Sequence, residues 1–221
     1  MLSLTTGSLH SPLNDCAVPE AAIETIVDAL NGPGWCVIPD FMNPDVWEPM
    51  AAEALALHDD GGFRHAGVGR GESFQIRPGI RNDRVRWVDP LAPTQIQQDY
   101  LVRIEKLRLA INCDLMLGLF GFEGHFALYP EGSFYRRHLD RFANASHRTV
   151  TCIAYLNEDW QPEEGGSLRI YMPDAKGAET HVDIMPQGGS AVIFLSGEFE
   201  HEVLPAHRPR LSLTGWYLQR C

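Results

Sequence analysis

The sequence predicts an α+β domain in which helices come first and a β jelly roll follows, and three observations carry that prediction. Apolar residues recur at three- and four-residue steps in two separate stretches before residue 120, the mark of amphipathic helices. From Phe122 onward the character changes to short runs rich in Val, Ile, Phe, Tyr and Thr, separated by clusters of Gly, Pro, Asn and Asp. About eight such runs at close spacing suit a sandwich or jelly roll. A length of 221 residues without an internal repeat suits one domain with a sizeable core.

Met1 to Val18 mixes Ser, Thr, Pro and Gly without periodicity and reads as a loose leader, so a single domain is expected over residues 19–221. Ala22, Ile23, Ile26, Val27 and Leu30 line one side of a helix that Asn31-Gly32-Pro33-Gly34 stops. Trp35 to Pro39 reads as a short strand. Asn43-Pro44-Asp45 then resembles an N-cap with proline at the first helical position, opening a second helix to about Leu57. Asp59 to Gly79 is rich in glycine and poor in large apolar residues, so it reads as a mobile loop of functional length. Arg84 to Val88 alternates like a strand. Pro93 to Leu119 carries the longest helical pattern, with Tyr100, Ile104, Leu107, Ile111 and Leu115 on one side, and is expected to buttress the sheet. Strands are expected near 124–129, 134–139, 149–156, 167–171, 180–184, 190–195, 200–204 and 210–218.

Eighteen Lys and Arg against 29 Asp and Glu leave a net charge of −11, which argues against a phosphate-binding surface and hence against a nucleic-acid partner. No stretch approaches the roughly 18 apolar residues of a membrane span, and the N-terminus lacks the basic-then-apolar order of a secretion signal. A cytoplasmic protein without membrane association is expected. Cys16, Cys36, Cys113, Cys152 and Cys221 form an odd set without CxxC spacing, so reduced thiols are expected rather than disulfides or a thiolate zinc site. Asn144-Ala145-Ser146 matches a glycosylation acceptor, read here as a chance match.

His138 and Asp140 stand two apart at an expected strand end, where the period of a strand turns both side chains to one face. Sixty-three residues later, His201 opens another strand in Glu200-His201-Glu202-Val203. Two imidazoles and one carboxylate would leave about three of six octahedral positions open, a set typical of ferrous oxygenases rather than of closed structural zinc. An HxD pair alone also fits ordinary surface polar residues. Arg210 raises the metal reading: alternation in Arg210-Leu211-Ser212-Leu213-Thr214 aims Arg210, Ser212 and Thr214 to one side, toward the barrel interior. A buried guanidinium calls for an anion, and its planar fork suits a carboxylate, for which the far end of 2-oxoglutarate is the natural candidate. A salt bridge at the strand start is the competing reading.

Around these residues the chain becomes recognisable. Phe126-Ala127-Leu128-Tyr129-Pro130, Tyr135-Arg136-Arg137-His138-Leu139-Asp140, the run from Arg148 to Trp160, Gly165-Gly166-Ser167-Leu168-Arg169-Ile170, His201-Glu202-Val203-Leu204-Pro205 and Arg210 to Tyr217 form one set. Together they resemble the prolyl 4-hydroxylase family of Fe(II)/2-oxoglutarate-dependent dioxygenases, and within it the animal oxygen-sensing enzymes. The likeness covers about Gly34 to Tyr217 and includes Ile80 to Trp87; without the accessory regions of animal members, the chain resembles a compact bacterial one. The resemblance implies a double-stranded β-helix, cupin-like, over about 122–219. It implies that His138, Asp140 and His201 hold Fe(II), and that Arg210 and Tyr155 hold the distal carboxylate of 2-oxoglutarate with help from Thr214 and Tyr129. It further implies that Tyr135, Arg148 and Trp216 line the substrate entrance, and that the Gly-rich segment through Arg81 and Asp83 covers it. O2 is the second co-substrate, with ascorbate as an accessory reductant. Taken alone, Tyr129, Tyr155 and Trp216 read as core aromatics, and His125, His147, His181 and His207 as ordinary polar residues.

By the same resemblance, decarboxylation of 2-oxoglutarate to succinate and CO2 is coupled to hydroxylation of a prolyl residue in a target protein loop, with a translation factor such as elongation factor Tu as the guess. Asp140 fills the position that related halogenases leave vacant for chloride, which favours hydroxylation. Three readings compete: a same-chemistry hydroxylase of free proline or another small metabolite, a non-enzymatic sensor of 2-oxoglutarate or oxygen, and a cupin-like zinc- or sugar-binding protein. The last leaves Arg210 and Tyr155 unexplained.

Overall fold

Both faces of the central sheet are covered, and the two-residue period of its strands sorts side chains between two cores. The computed structural model describes residues 20–69, 74–140 and 147–220. The leader over residues 1–18, Cys16, Cys221 and Asn144-Ala145-Ser146 lie outside the described residues. Three helices, α1 (Glu20–Asn31), α2 (Pro44–Asp59) and α3 (Gln95–Leu115), are interleaved with three short strands, β1 (Trp35–Ile38), β2 (Arg64–His65) and β3 (Arg84–Trp87). The core strands follow: β4 (Leu119–Tyr129), β5 (Tyr135–His138), β6 (Arg148–Tyr155), β7 (Leu168–Pro173), β8 (Glu179–Ile184), β9 (Ala191–Leu195), β10 (His201–Val203) and β11 (Arg210–Gln219). They are shared between a seven-stranded sheet, β1-β9-β6-β11-β4-β3-β2, and a four-stranded sheet, β5-β10-β7-β8, paired antiparallel throughout. This is the double-stranded β-helix with supporting helices that the sequence predicts.

On the outer face of the larger sheet, Phe126 and Leu128 of β4, Cys152 of β6 and Leu213 and Tyr217 of β11 meet Ile26 of α1, Met50 of α2 and Tyr100, Ile104, Leu107 and Ile111 of α3. The intervening residues Ala127, Ile153, Val192 and Phe194 turn inward and pack on Leu168, Ile170 and Val203 of the smaller sheet. Each large apolar side chain fully buried contributes roughly 1.5–3 kcal/mol, so these two layers dominate the stabilisation.

Element ends differ from the sequence reading for local reasons. Periodicity carries α3 to Leu119, but the helix stops at Leu115 because Met116 takes a left-handed φ of 52° at the C-cap. The Asn112 side chain then donates to Leu119 O and accepts from Leu119 N, so β4 starts there instead of at 124. Asn43 is the N-cap of α2 with Pro44 behind it, as expected, although its side chain makes no capping bond. Glycine content hides β2, whose two residues pair with β3.

Beyond β6, the buried Asn157 ties three strands' ends together. Its Nδ2 donates to Pro186 O at 2.8 Å and Leu211 O at 2.9 Å, and its Oδ1 accepts from Leu211 N at 2.6 Å. Leu211 follows Arg210, so this knot also places that side chain. Asn157→Ala removes three hydrogen bonds to buried backbone groups, of which Leu211 O keeps Leu156 N, and is expected to lower the free energy of unfolding by about 2–4 kcal/mol in urea denaturation.

Candidate active site

Antiparallel pairing of β10 with β5 sets His201 directly opposite His138. Asp140 lies two residues beyond His138, in the bend that ends β5. Ligand atoms of the three side chains all lie within 4.8 Å of one another. Asp140 Oδ1 is 3.7 Å from His138 Nε2, and Oδ2 is 3.6 Å from His201 Nε2. Ligands at adjacent positions of a metal, with bonds of ~2.1 Å, stand about 3 Å apart, so the set closes on an ion with small side-chain shifts.

Both rings turn Nδ1 to a backbone carbonyl, His138 to Arg136 O at 2.8 Å and His201 to Phe199 O at 3.1 Å. With the N–H donated there, each Nε2 lone pair is left for a metal. Burial, with His138 adding to it, pushes His201 down to about 4, so the imidazole is neutral at physiological pH. Burial disfavours charge on Asp140, but the facing His201 and His138 more than offset it and hold the carboxyl below its ordinary range. Thr151 Oγ1 donates to Asp140 Oδ2 at 2.9 Å, which leaves Ser196 Oγ, 2.8 Å away, to donate to Thr151. This donor set fits a divalent first-row metal.

At the other end of the site, Arg210 opens β11 opposite Tyr129 of β4 and is 1% exposed. Its Nε donates to Gly166 O at 2.8 Å, and its guanidinium carbon lies 4.9 Å from the Tyr129 ring centre and 5.2 Å from that of Tyr155. Gly166 has a φ of 67°, and a Cβ there would stand 3.1 Å from Arg210 Cδ, so glycine is what lets this carbonyl meet the arginine. Among the described residues Arg210 makes no ion pair, so the salt-bridge reading has no acid to complete it. The Tyr155 hydroxyl is buried without an acceptor, and burial raises its pKa to about 12, keeping the phenol a neutral donor. A buried cation and a buried donor side by side, both short of an acceptor, fit a carboxylate.

One cavity of about 810 Å³ joins the two ends. His138, Asp140, His201, Tyr129, Arg210 and Thr214 line it, and so do Tyr135, Arg81, Arg148 and Trp216. Tyr155 is not among the residues that line it and is connected to it through the neighbouring Arg210. Asp83, completely buried, does not reach the cavity; both its oxygens are taken by Arg81. Arg148 is also engaged, paired with Glu123 at 2.7 Å and lying 3.4 Å from the Trp216 ring centre.

Sequence reasoning missed His125 and Thr151. His125 is buried in β4, 4.9 Å from the Trp87 ring and 5.4 Å from the Trp216 ring, and it lines the cavity. Counting back by twos from Tyr129 reaches it, so the strand period held that signal. Nothing in the run of β6 names Asp140 as the partner of Thr151.

A double-stranded β-helix carrying an open metal-ligand set and an anion-seeking arginine defines the oxygenases that use Fe(II), 2-oxoglutarate and O2, and the 2OG-Fe(II) oxygenase superfamily matches residues 124–218. Among solved structures, a Pseudomonas putida prolyl-4-hydroxylase is 45% identical with a TM-score of 0.79, over 90% of this chain and 100% of that one. A prolyl hydroxylase from Trichoplax adhaerens, in complex with a hypoxia inducible factor oxygen degradation domain peptide fragment, is 25% identical with a TM-score of 0.81, over 97% of this chain and 94% of that one. Human Egl nine homolog 1 is 33% identical over 210 residues, 89% of this chain and 46% of that protein. The chain spans about half the length of the Egl nine homolog 1 relatives it matches. It belongs to the prolyl hydroxylase family of 2-oxoglutarate- and Fe(II)-dependent oxygenases. Among the described residues, no helix is long and apolar enough to cross a membrane.

Burial pushes His125 from 6.5 down to about 4. As pH falls the unfolded chain takes up this proton first, so stability present above pH 6.5 is lost progressively toward pH 4. The thermal midpoint of the metal-free protein is expected to fall across that window, and His125→Gln to show a shallower decline, read by a pH series of melting curves.

Proposed function

We propose that this protein is a cytoplasmic Fe(II)- and 2-oxoglutarate-dependent hydroxylase of a prolyl residue in a loop of another protein. In this reading His138, Asp140 and His201 hold the metal, and Arg210 with Tyr155 holds the distal carboxylate of 2-oxoglutarate, flanked by Tyr129 and Thr214. The observation that carries it is the unmatched polarity opposite the metal set: a buried Arg210 without an acid, beside a Tyr155 hydroxyl without an acceptor.

Fe(II), when bound with 2-oxoglutarate and O2, supplies the oxidation of an unactivated C–H bond, which no side chain here can perform. The chain supplies placement. His138 and His201 present Nε2 atoms already oriented, and the charged Asp140 takes the position a halide would need. Arg210 anchors one end of the co-substrate so that its keto acid end faces the triad, converting encounter into a fixed geometry. Ile153, Leu168 and Val203 line the same cavity and keep its wall apolar.

A protein target is supported by the mouth of the cavity, where Phe74, Ile76 and Trp87 are 52%, 56% and 49% exposed. A free amino acid would leave that apolar surface uncovered, whereas a docked loop buries it. Arg148 and Trp216 stand at the same entrance. By family resemblance, the loop of a translation factor such as elongation factor Tu is the first target to try.

Under argon, Fe(II) and 2-oxoglutarate are expected to give a weak visible charge-transfer band that His138→Ala abolishes. Arg210→Ala is expected to weaken 2-oxoglutarate binding about 100-fold, as truncation at a buried charged contact does. In air, proline-containing peptides should then gain one oxygen as succinate forms. Tight zinc binding with no iron band would sink this reading, and turnover of free proline but of no peptide would move the target to a small metabolite.

A further inference from the structure

The two imidazoles of the metal set are not held alike. His201 lies on β10, between β5 and β7, with Phe194 edge-on to its ring at 4.8 Å. His138 ends β5, the outermost strand of the smaller sheet, and is the more exposed of the two. The free side of β5 is closed by residues 80–82: Arg136 N donates to Ile80 O at 2.8 Å, Phe134 N donates to Asn82 Oδ1 at 2.8 Å, and Arg81 bridges Tyr135.

That closing segment does more than satisfy an edge. Tyr135 and His138 stack with ring centres 3.6 Å apart and planes 17° from parallel. The Arg81 guanidinium carbon lies 4.1 Å from the Tyr135 ring centre. Two groups so close cannot share one face of the ring, so Tyr135 is sandwiched between Arg81 and His138. Arg81 is itself fixed by Asp83, Nε to Oδ1 at 2.7 Å and Nη2 to Oδ2 at 2.5 Å. Asp83 is completely buried, which makes it the immobile end of the column.

We propose that Asp83, Arg81 and Tyr135 form a brace that positions His138 for the metal, and that they serve the prime substrate only through it. The proposal rests on the reading of His138 as a metal ligand. The hydrogen bond to Arg136 O selects the tautomer of His138, and the stack fixes the rotation of its ring about Cβ–Cγ. Without the brace, an imidazole at a sheet edge swings away from Asp140 and His201, and the metal loses one of three protein ligands. The consequence is specific to this chain's geometry: the segment that follows the Gly-rich stretch is part of the metal site's supporting structure.

The test is metal affinity of the full chain under argon, by calorimetric titration with Co(II) and with Fe(II), alongside the band formed with 2-oxoglutarate. Asp83→Asn releases Arg81 and is expected to weaken binding of both metals about 10–100-fold, the usual loss when a ligand's supporting partner is removed. Tyr135→Leu is expected to do the same, while Tyr135→Phe, which keeps the ring, recovers affinity to within about threefold of the natural chain. A substrate-contact role predicts the reverse: unchanged metal binding and band, with a raised KM for peptide at unchanged kcat. Unchanged affinity in Tyr135→Leu overturns the brace even if Asp83→Asn does not fold. A natural chain that takes up neither metal overturns the functional reading, and the brace with it.

Discussion

One antiparallel pairing, His201 opposite His138, is the constraint on which the rest of the site depends. The side-chain period of a strand is two, so a slip of one residue between β5 and β10 would send the imidazoles to opposite faces. The outer surface of the smaller sheet guards against that slip. Arg137, which points away from His138, pairs with Glu200 and with Glu179 of β8, and lies 3.9 Å from the Tyr171 ring of β7. Exposed ion pairs contribute little to stability one by one. Here they reach across the whole sheet, and a slip of one residue would carry Arg137 into the cavity.

The same alternation explains how much was legible in the sequence. Arg210, Ser212, Thr214 and Trp216 fall on one face of β11 and line the cavity, while Leu211, Leu213 and Tyr217 meet the helices, as a period of two requires. His138, Asp140 and His201 could be chosen because strand ends and spacing are local properties. Asp83 was expected over the substrate entrance and is buried away from the cavity instead, because its burial follows from where residues 80–82 dock on β5, a contact between segments 52 residues apart in the case of Asn82 and Phe134. Thr151 was hidden for a like reason: its hydroxyl finds Asp140 only once β6 and the bend after β5 share one interior. The end of α3 was missed because a left-handed Met116 has no sequence signature comparable to glycine.

The two ends of the site belong to different sheets. The metal set sits on the smaller one, whereas Tyr129, Tyr155, Arg210 and Thr214 sit on β4, β6 and β11 of the larger. The gap between them is held open by Ile153, Val192 and Phe194 packed on Leu168 and Ile170. Under the proposed function, that interior layer acts as a calliper for co-substrate length. Choice among keto dicarboxylic acids of different chain length becomes a matter of core volume, and a heavier or lighter side chain at Ile153 or Leu168, which line the cavity between the two ends, would retune it with all three metal-set residues in place.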